Sequence, residues 1–177
     1  MKVPTIRPEA PEDAVAVAAV VAAAFASRAE ARLVEAIRAS IDYIPELSLV
    51  AELDGQVLGH VMISYASLDQ GSRRRRVAML SPLAVAPLHQ RRGIGSTLVR
   101  EAVSRADERG EPLIVLEGSP DYYGRLGFEP AARYGIEMPL PSWAAPEAAQ
   151  IMRLASYDPE LTGRVTYPPT FDELSEH

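Results

Sequence analysis

The chain contains no cysteine and almost no lysine. Cys is absent from its 177 residues, and the only lysine is Lys2. The absence of cysteine excludes disulfide bonds, cysteine-ligated zinc and thiol catalysis. The three histidines, His60, His89 and His177, are scattered without metal-ligand spacing, so no metal site is predicted.

The sequence also offers no hydrophobic run that could cross a bilayer. The apolar stretch from Ala14 to Ala26 is shorter than the ~20 residues that a spanning helix needs. Before it, Glu9, Glu12 and Asp13 outnumber the two basic residues, which does not fit a secretory leader. We therefore interpret the stretch as an internal helix and expect a cytoplasmic protein without membrane association.

The bulk composition is that of a globular domain with an excess of acid. Hydrophobic residues make up 47% and charged residues 24% of the chain, which is typical of soluble proteins. The net charge of -6 disfavours nucleic acid as a partner. The run Arg73–Arg76 follows Gly71-Ser72 and precedes a strand, which favours a solvated hairpin turn over an anion-binding patch.

Hydrophobic periodicity predicts a mixed α/β sheet with helices on both faces. The chain is expected to form a single domain over residues 1–177, with a core to about 138 and a loop-rich, proline-rich extension over 139–177. Asp54-Gly55 is predicted to be a tight hairpin turn and Asp69–Arg74 a polar loop. The predicted strands are Val3–Arg7, Leu47–Leu53, Gln56–Ser64, Val77–Val85, Pro112–Glu117, one from Phe128, and short ones near Ile151–Arg153 and Val165–Tyr167. The predicted helices are Ala14–Ala26, Glu30–Ser40, one from the glycine loop to a cap at Gly110, and a turn over Asp121–Leu126.

A glycine loop between a strand and a helix carries the clearest functional signal. The apolar strand ends at Leu83–Val85, the loop contains Gly93 and Gly95, and an amphipathic helix follows at once. Such a loop points backbone N–H groups at one spot, at the positive end of a helix dipole. Glycine lets the backbone approach a ligand closely or take a positive φ. The loop therefore suits a phosphate or a pyrophosphate.

Two common phosphate loops lack their defining residues here. A P-loop needs Lys followed by Ser or Thr after its last glycine, whereas Gly95 is followed by Ser96 and Thr97. The dinucleotide fingerprint needs a third glycine at the place of Leu98. The pattern that fits is Gln-x-x-Gly-x-Gly, starting at Gln90 directly after a strand that ends in Leu-x-Val.

This pattern resembles the acyl-CoA-binding motif of the GNAT superfamily of N-acetyltransferases, and the resemblance covers residues 1 to about 138. The Asp54-Gly55 hairpin with Leu58–Val61 is similar to the second and third strands of that superfamily, and Leu113–Gly118 to the fifth. Tyr122–Phe128 resembles its Tyr-x-x-x-Gly-Phe signature. The resemblance implies a mixed, mostly antiparallel central sheet, splayed between the fourth and fifth strands, with helices on both faces.

A closer resemblance is to a bacterial subgroup of uncharacterised predicted acetyltransferases. It rests on Glu117–Tyr123 and on the segment Tyr167-Pro168-Pro169.

The superfamily resemblance implies acetyl-CoA as cosubstrate and assigns residues to it. The main chain of Leu83 would align the pantetheine arm, and the Val85 N–H would donate to the thioester oxygen. Gln90 would hold the loop by hydrogen bonds, and Arg91 or Arg92 would meet a phosphate. The main-chain donors to the pyrophosphate would be those of Arg91, Arg92, Gly93, Ile94, Gly95 and Ser96.

The leaving thiolate needs a proton, and the resemblance assigns its donor. Tyr123 stands four residues before Gly127, the register of the family tyrosine, and is the predicted general acid. Its neighbour Tyr122 is the competing candidate.

The general base is left open by the sequence. Many relatives carry a carboxylate on the fourth strand, where this chain has Ser81-Pro82. Glu30, Glu117 and Asp121 are the candidates, and a chain of water molecules is the alternative to a single base.

The predicted function is transfer of an acetyl group from acetyl-CoA to a primary amine of a small molecule, peptide or protein, by direct attack. The alternative is a non-catalytic protein of the same fold that binds or senses acyl-CoA. Tyr123 beside an intact loop favours the enzyme. By superfamily analogy, Glu30–Tyr43 and the proline-rich tail shape the acceptor pocket, and the protein is a monomer or a homodimer.

Overall fold

The computed structural model describes residues 2–175, so His177 lies outside the described residues. No helix of this described stretch is long and apolar enough to cross a membrane. The helices are α1 (Ala14–Phe25), α2 (Ala29–Arg38), α3 (Ile94–Glu108), α4 (Pro120–Gly124) and α5 (Asp172–Ser175). The strands are β1 (Thr5–Pro8), β2 (Ser48–Leu53), β3 (Gln56–Gln70), β4 (Arg73–Val85), β5 (Leu113–Glu117), β6 (Glu129–Pro130), β7 (Ile136–Glu137), β8 (Ala149–Arg153) and β9 (Gly163–Thr166).

Contacts between residues divide the chain into two compact units. The first comprises residues 2–64, 81–105 and 169–175, and the second comprises 65–80 and 106–168. The strands β3 and β4 and the helix α3 each contribute residues to both units. Neither unit is one continuous stretch of chain, so each forms through contacts between distant parts of the sequence.

The first unit contains an antiparallel run of three strands. β2 pairs with β1, where Ile6 lies opposite Ala51, and with β3, where Leu49 lies opposite Val61. The turn between β2 and β3 places Asp54 at φ 50° and Gly55 at φ 79°. Positive φ at both central residues is the geometry of a two-residue hairpin turn. The predicted Asp54-Gly55 hairpin is therefore confirmed.

The helices of the first unit pack through the apolar faces that their periodicity predicts. Leu33, Val34 and Ile37 of α2 are buried, as is Leu98 of α3. A Cβ on Gly59 of β3 would lie 2.9 Å from the Leu98 Cδ1 atom. The absence of a side chain at Gly59 thus lets α3 lie directly on the strand.

In the second unit, the strands pair around β5. β4 runs parallel to β5 through two residue pairs, Ala78 with Ile114 and Met79 with Val115, and β8 pairs antiparallel on β5. β6 pairs antiparallel with β8, whereas β7 and β9 are parallel. The parallel register of β4 and β5 ends after its two pairs, as expected for strands that splay. The predicted mixed, mostly antiparallel sheet is confirmed.

The hairpin between β3 and β4 is longer than predicted. The predicted loop over Asp69–Arg74 is wrong, because β3 continues to Gln70 and β4 already begins at Arg73. The polar end of β3 is held by β9, whose Thr166 lies opposite Ser67 and donates a hydrogen bond to Asp69. Arg73–Arg76, predicted to be a solvated turn, is exposed but belongs to β4.

Residues beyond 138 supply strands β8 and β9 to the second unit. The sequence predicts short strands near 151–153 and 165–167, and the structure has them at Ala149–Arg153 and Gly163–Thr166. Leu113–Glu117 is paired with β8 along its whole length.

A group of polar side chains is buried in the first unit beneath α2. Glu9 pairs with Arg38 and accepts a hydrogen bond of 2.5 Å from the Ser48 hydroxyl. His60 is fully buried, and its Nδ1 lies 3.0 Å from the Leu49 carbonyl oxygen. Its Nε2 has no hydrogen-bond partner among the described residues. Burial lowers the pKa of His60 to about 4, so the imidazole is neutral in the folded protein near neutral pH.

This buried imidazole predicts a loss of stability in mild acid. Between the ordinary pKa of histidine, ~6.5, and about 4, the unfolded chain binds a proton at His60 that the folded chain does not. The free energy of unfolding should therefore fall by roughly 2 kcal/mol from pH 7 to 4.5 on account of His60. Urea unfolding at both pH values should show this loss in the wild type and a smaller one in His60→Asn. Equal losses in the two proteins would contradict the assignment.

Candidate functional site

The loop that follows β4 has the backbone geometry of an anion-binding site. A short 3-10 turn over Pro87–His89 leads from the strand, and α3 begins at Ile94. Between them, Arg91 has φ 61° and Gly93 has φ 83°. Left-handed residues alternating with ordinary ones turn successive N–H groups toward a common concavity.

Hydrogen bonds hold this loop at both ends. The Gln90 side-chain amide donates to the Val85 carbonyl oxygen over 3.0 Å, the role expected of Gln90 within the loop. At the other end, the Thr97 hydroxyl and the Thr97 N–H both donate to the Gly93 carbonyl, over 2.9 and 3.0 Å. The Ala86 N–H donates to the Leu58 carbonyl and joins the end of β4 to β3.

The start of α3 presents positive charge and no acid. The first N–H groups of a helix have no carbonyl one turn earlier to bond with, and the helix dipole is positive there. In α3 these include the N–H groups of Ile94 and Gly95, and the first turn contains no acidic residue. Arg91 and Arg92 are exposed beside them, while the Ile94 side chain is buried. The main chain of Ile94, and not its side chain, is thus available to a ligand.

Leu83 and Val85 are only half-buried, in contrast to their neighbours in β4. Pro82 and Ala84 are buried, so the strand alternates between a core face and a face that solvent reaches. The end of β4 and the loop therefore place all the predicted cofactor residues, Leu83, Val85 and Gln90–Ser96, in the first unit.

The predicted general acid lies in the second unit, in an aromatic cluster. The Tyr123 ring makes edge-on contacts with the rings of Phe128 and Tyr122, with centroids 5.6 and 4.9 Å away. Beneath it lies Gly118, where a Cβ would be 2.5 Å from the Tyr123 Cε2 atom. Burial raises the pKa of Tyr123 to about 12, so its phenol stays protonated at neutral pH.

The spacing of the Tyr-x-x-x-Gly-Phe segment has a local structural cause. Ser119 caps α4 by accepting a hydrogen bond from the Tyr122 N–H. After the helix, Gly127 adopts φ 99°, and the Phe128 N–H returns to the Tyr123 carbonyl over 3.1 Å. The turn thus brings the Phe128 ring back against Tyr123.

The three candidate bases have different surroundings. Glu117 ends β5 next to Gly118 and accepts a hydrogen bond from the Tyr167 hydroxyl. Although solvent reaches the residue, desolvation of its carboxylate raises the pKa of Glu117, and the bond from Tyr167 lowers it by less. Asp121 is exposed in α4. Glu30 lies in the first turn of α2, in the first unit, with a buried Oε2 that has no partner among residues 2–175.

Gly118 follows Glu117 in the chain and contacts the Tyr123 ring, and its carbonyl accepts a hydrogen bond from the buried Gln150. Sequence reasoning missed the contact between Tyr167 and Glu117. The sequence names Glu117 as a candidate base and Tyr167 as part of a separate segment, and no local pattern joins positions 50 residues apart. Over residues 2–175, no group of three His, Asp or Glu side chains could hold a metal ion.

Comparison with known proteins gives matches along almost the whole chain. A family model described as an acetyltransferase (GNAT) domain matches residues 5–131. YhbS of Escherichia coli strain K12, named an uncharacterised N-acetyltransferase, is 38% identical over 174 residues, which cover 96% of this chain and 99% of the relative.

Two solved structures with bound ligands have the same fold. The crystal structure of E. coli YhbS in complex with CoA matches with a TM-score of 0.85 at 32% identity, over 97% of this chain and 93% of that one. A GNAT family acetyltransferase from Brucella melitensis in complex with acetyl-CoA matches with a TM-score of 0.77 at 32% identity, over 96% and 98%.

The contact between Tyr123 and Gly118 predicts different results for two glycines of the same segment. In Gly118→Ala the new methyl group meets the Tyr123 ring, so the free energy of unfolding should fall by about 1–3 kcal/mol. Gly124→Ala is the matched control, because no atom lies within 4 Å of its Cβ position. In a helix it should be neutral or stabilising by up to about 1 kcal/mol. Urea unfolding measures both, and equal effects would rule out the close packing of the ring.

Proposed function

Because the chain belongs to the GNAT family of acetyltransferases, we propose that it transfers the acetyl group of acetyl-CoA to a primary amine of a small molecule, peptide or protein. The observation that carries this proposal is the loop between Val85 and Ile94, whose left-handed residues and helix start offer main-chain donors to a pyrophosphate. The complexes of related proteins with CoA and acetyl-CoA support it. We also propose that the protein is cytoplasmic and that it is a monomer or a homodimer.

The cosubstrate is proposed to bind along β4 and its loop. The main-chain N–H groups from Arg91 to Ser96 bind the pyrophosphate, and Arg91 or Arg92 adds a charged contact. Gln90 keeps the loop in place through its bond to the Val85 carbonyl. The main chain of Leu83 aligns the pantetheine arm.

The reaction is proposed to be a direct attack of the amine nitrogen on the thioester carbonyl carbon. As the C–N bond forms, negative charge develops on the carbonyl oxygen, and the Val85 N–H stabilises it. The C–S bond then breaks, and the sulfur receives the phenolic proton of Tyr123. A phenol with a pKa of about 12 is protonated at neutral pH, so the donor is ready for this step.

Glu117 is the carboxylate that we assign as general base, ahead of Glu30 and Asp121. It removes the proton that the attacking nitrogen loses. Desolvation raises the pKa of Glu117, and a base is more effective when its pKa is closer to the working pH. Like Tyr123, it adjoins Gly118.

Two measurements test the proposal. Calorimetry measures the binding of acetyl-CoA, and a thiol-release assay measures turnover over a panel of primary amines. Tight binding with turnover of at least one amine is expected. Binding without turnover of any amine would favour the acyl-CoA sensor, and the absence of binding would overturn the proposal.

A variant pair makes the binding measurement specific to the loop. Gly93→Ala should raise the dissociation constant of acetyl-CoA by about tenfold, because a side chain disfavours the left-handed backbone at this position by ~1–2 kcal/mol. Gly55→Ala imposes the same backbone conflict in the β2–β3 turn, with equally open space around the new methyl group. It should leave the affinity unchanged, and an equal loss in both variants would contradict the role of the loop.

Removal of the Tyr123 hydroxyl tests the general acid. Tyr123→Phe should lower kcat by about 100-fold or more at saturating acetyl-CoA, and leave acetyl-CoA affinity unchanged. Tyr122→Phe, on the neighbouring ring, should keep kcat near that of the wild type. Full turnover by Tyr123→Phe, or a loss confined to Tyr122→Phe, would contradict the assignment.

A further inference from the structure

Among residues 2–175, Glu117 has one polar partner and no counter-ion. Within the part of the chain that the structure describes, its carboxylate forms no ion pair, and its hydrogen-bond donor is the Tyr167 hydroxyl. The titratable residues on the adjoining elements are Tyr167 and Arg164 at β9, Asp121, Tyr122 and Tyr123 of α4, Arg153 at the other end of β8, and Glu147 in the turn before β8. On β8, the neutral Ala149 lies opposite Glu117. The orientation of the carboxylate therefore depends on Tyr167.

Tyr167 follows a strand of the second unit that is closely packed against β3. It directly follows β9, whose Thr166 pairs with Ser67 of β3 and donates to Asp69 over 2.6 Å. At the start of β9, a Cβ on Gly163 would lie 2.1 Å from the Asp69 carbonyl oxygen. Only glycine thus allows the strand to approach β3 this closely.

The chain is restrained on the other side of Tyr167 as well. Pro168 and Pro169 follow it, and each proline ring fixes its own φ. Restraint on both sides means that the half-buried Tyr167 ring delivers its hydroxyl to a constant position. A donor held in this way fixes the rotamer of the acceptor that it binds.

We propose that Tyr167 is a positioning residue, which holds the Glu117 carboxylate in the orientation that accepts the proton of the attacking amine. The inference rests on the proposed function and adds to it a residue of the C-terminal segment. Tyr167 donates to Oε2 and leaves Oε1 to receive the amine proton. No proton leaves Tyr167 in the reaction.

The loss of this hydrogen bond has a predictable direction in a pH profile. The bond from Tyr167 lowers the pKa of Glu117, so Tyr167→Phe should raise that pKa further. Glu117 acts as a base only when it is deprotonated. The acidic limb of kcat/KM should therefore move to higher pH in the variant, and kcat should fall by about tenfold through lost orientation.

A second tyrosine–carboxylate pair in the same unit provides the control. The Tyr134 hydroxyl donates a hydrogen bond to the Glu129 carboxylate over 2.6 Å. Glu129 has no role in the proposed reaction. Tyr134→Phe removes the same kind of bond and should leave the acidic limb in place. A limb that stays in place in Tyr167→Phe, or that moves equally in both variants, would overturn the inference.

A double variant distinguishes positioning from a general structural role. If Tyr167 acts through Glu117, Tyr167→Phe should have no further effect on kcat in a Glu117→Gln background. Independent, multiplying losses would overturn the inference. A carboxyl NMR titration of Glu117 without substrate gives a readout besides activity, and its midpoint should rise in Tyr167→Phe.

These measurements test the proposed acetyl transfer and the role of Tyr167 separately. A wild type that turns over no amine would overturn the proposed function. An active wild type whose Glu117 titration is unaffected by Tyr167→Phe would overturn the inference on Tyr167 and leave the proposed function standing.

Discussion

The conformation of the short loop after β4 is the constraint on which the proposed chemistry depends. Arg91 and Gly93 are left-handed, and this geometry turns the main-chain N–H groups toward one point just where α3 begins. The surrounding packing preserves that conformation. Gln90 binds the end of β4, and α3 lies close on β3 because Gly59 has no side chain. The proposed affinity for an anion thus depends on backbone geometry, and the side chains mainly keep the backbone in place.

In the aromatic cluster of the second unit, the backbone likewise determines where the side chains lie. The turn after α4 returns the Phe128 N–H to the Tyr123 carbonyl, and Gly118 leaves room for the Tyr123 ring. The Tyr123 phenol is half-buried and stays protonated, whereas the Glu117 carboxylate has no counter-ion among the described residues. In the proposed reaction, the protonated phenol is the general acid and the Glu117 carboxylate, hydrogen-bonded by Tyr167, is the general base.

The sequence predicts those features of the structure that depend on residues close together in the chain. The apolar face of α3, the Asp54-Gly55 hairpin and the glycine loop each depend on residues close together in the chain, and each is found in the structure. The sequence does not predict the continuation of β3 to Gln70, because the polar end of this strand is stabilised by β9, almost 100 residues later. For the same reason the sequence left the general base open. The surroundings that distinguish Glu117 from Glu30 and Asp121 include Tyr167, a partner that no periodicity indicates.

A crystal structure of the protein with CoA tests the central claim most directly. We expect the pyrophosphate oxygens to lie at hydrogen-bond distance, about 2.7–3.2 Å, from main-chain nitrogens between Arg91 and Ser96. We also expect the loop to keep its left-handed residues when CoA is bound. A pyrophosphate that is bound elsewhere, or held by side chains while these nitrogens contact only water, would contradict the claim.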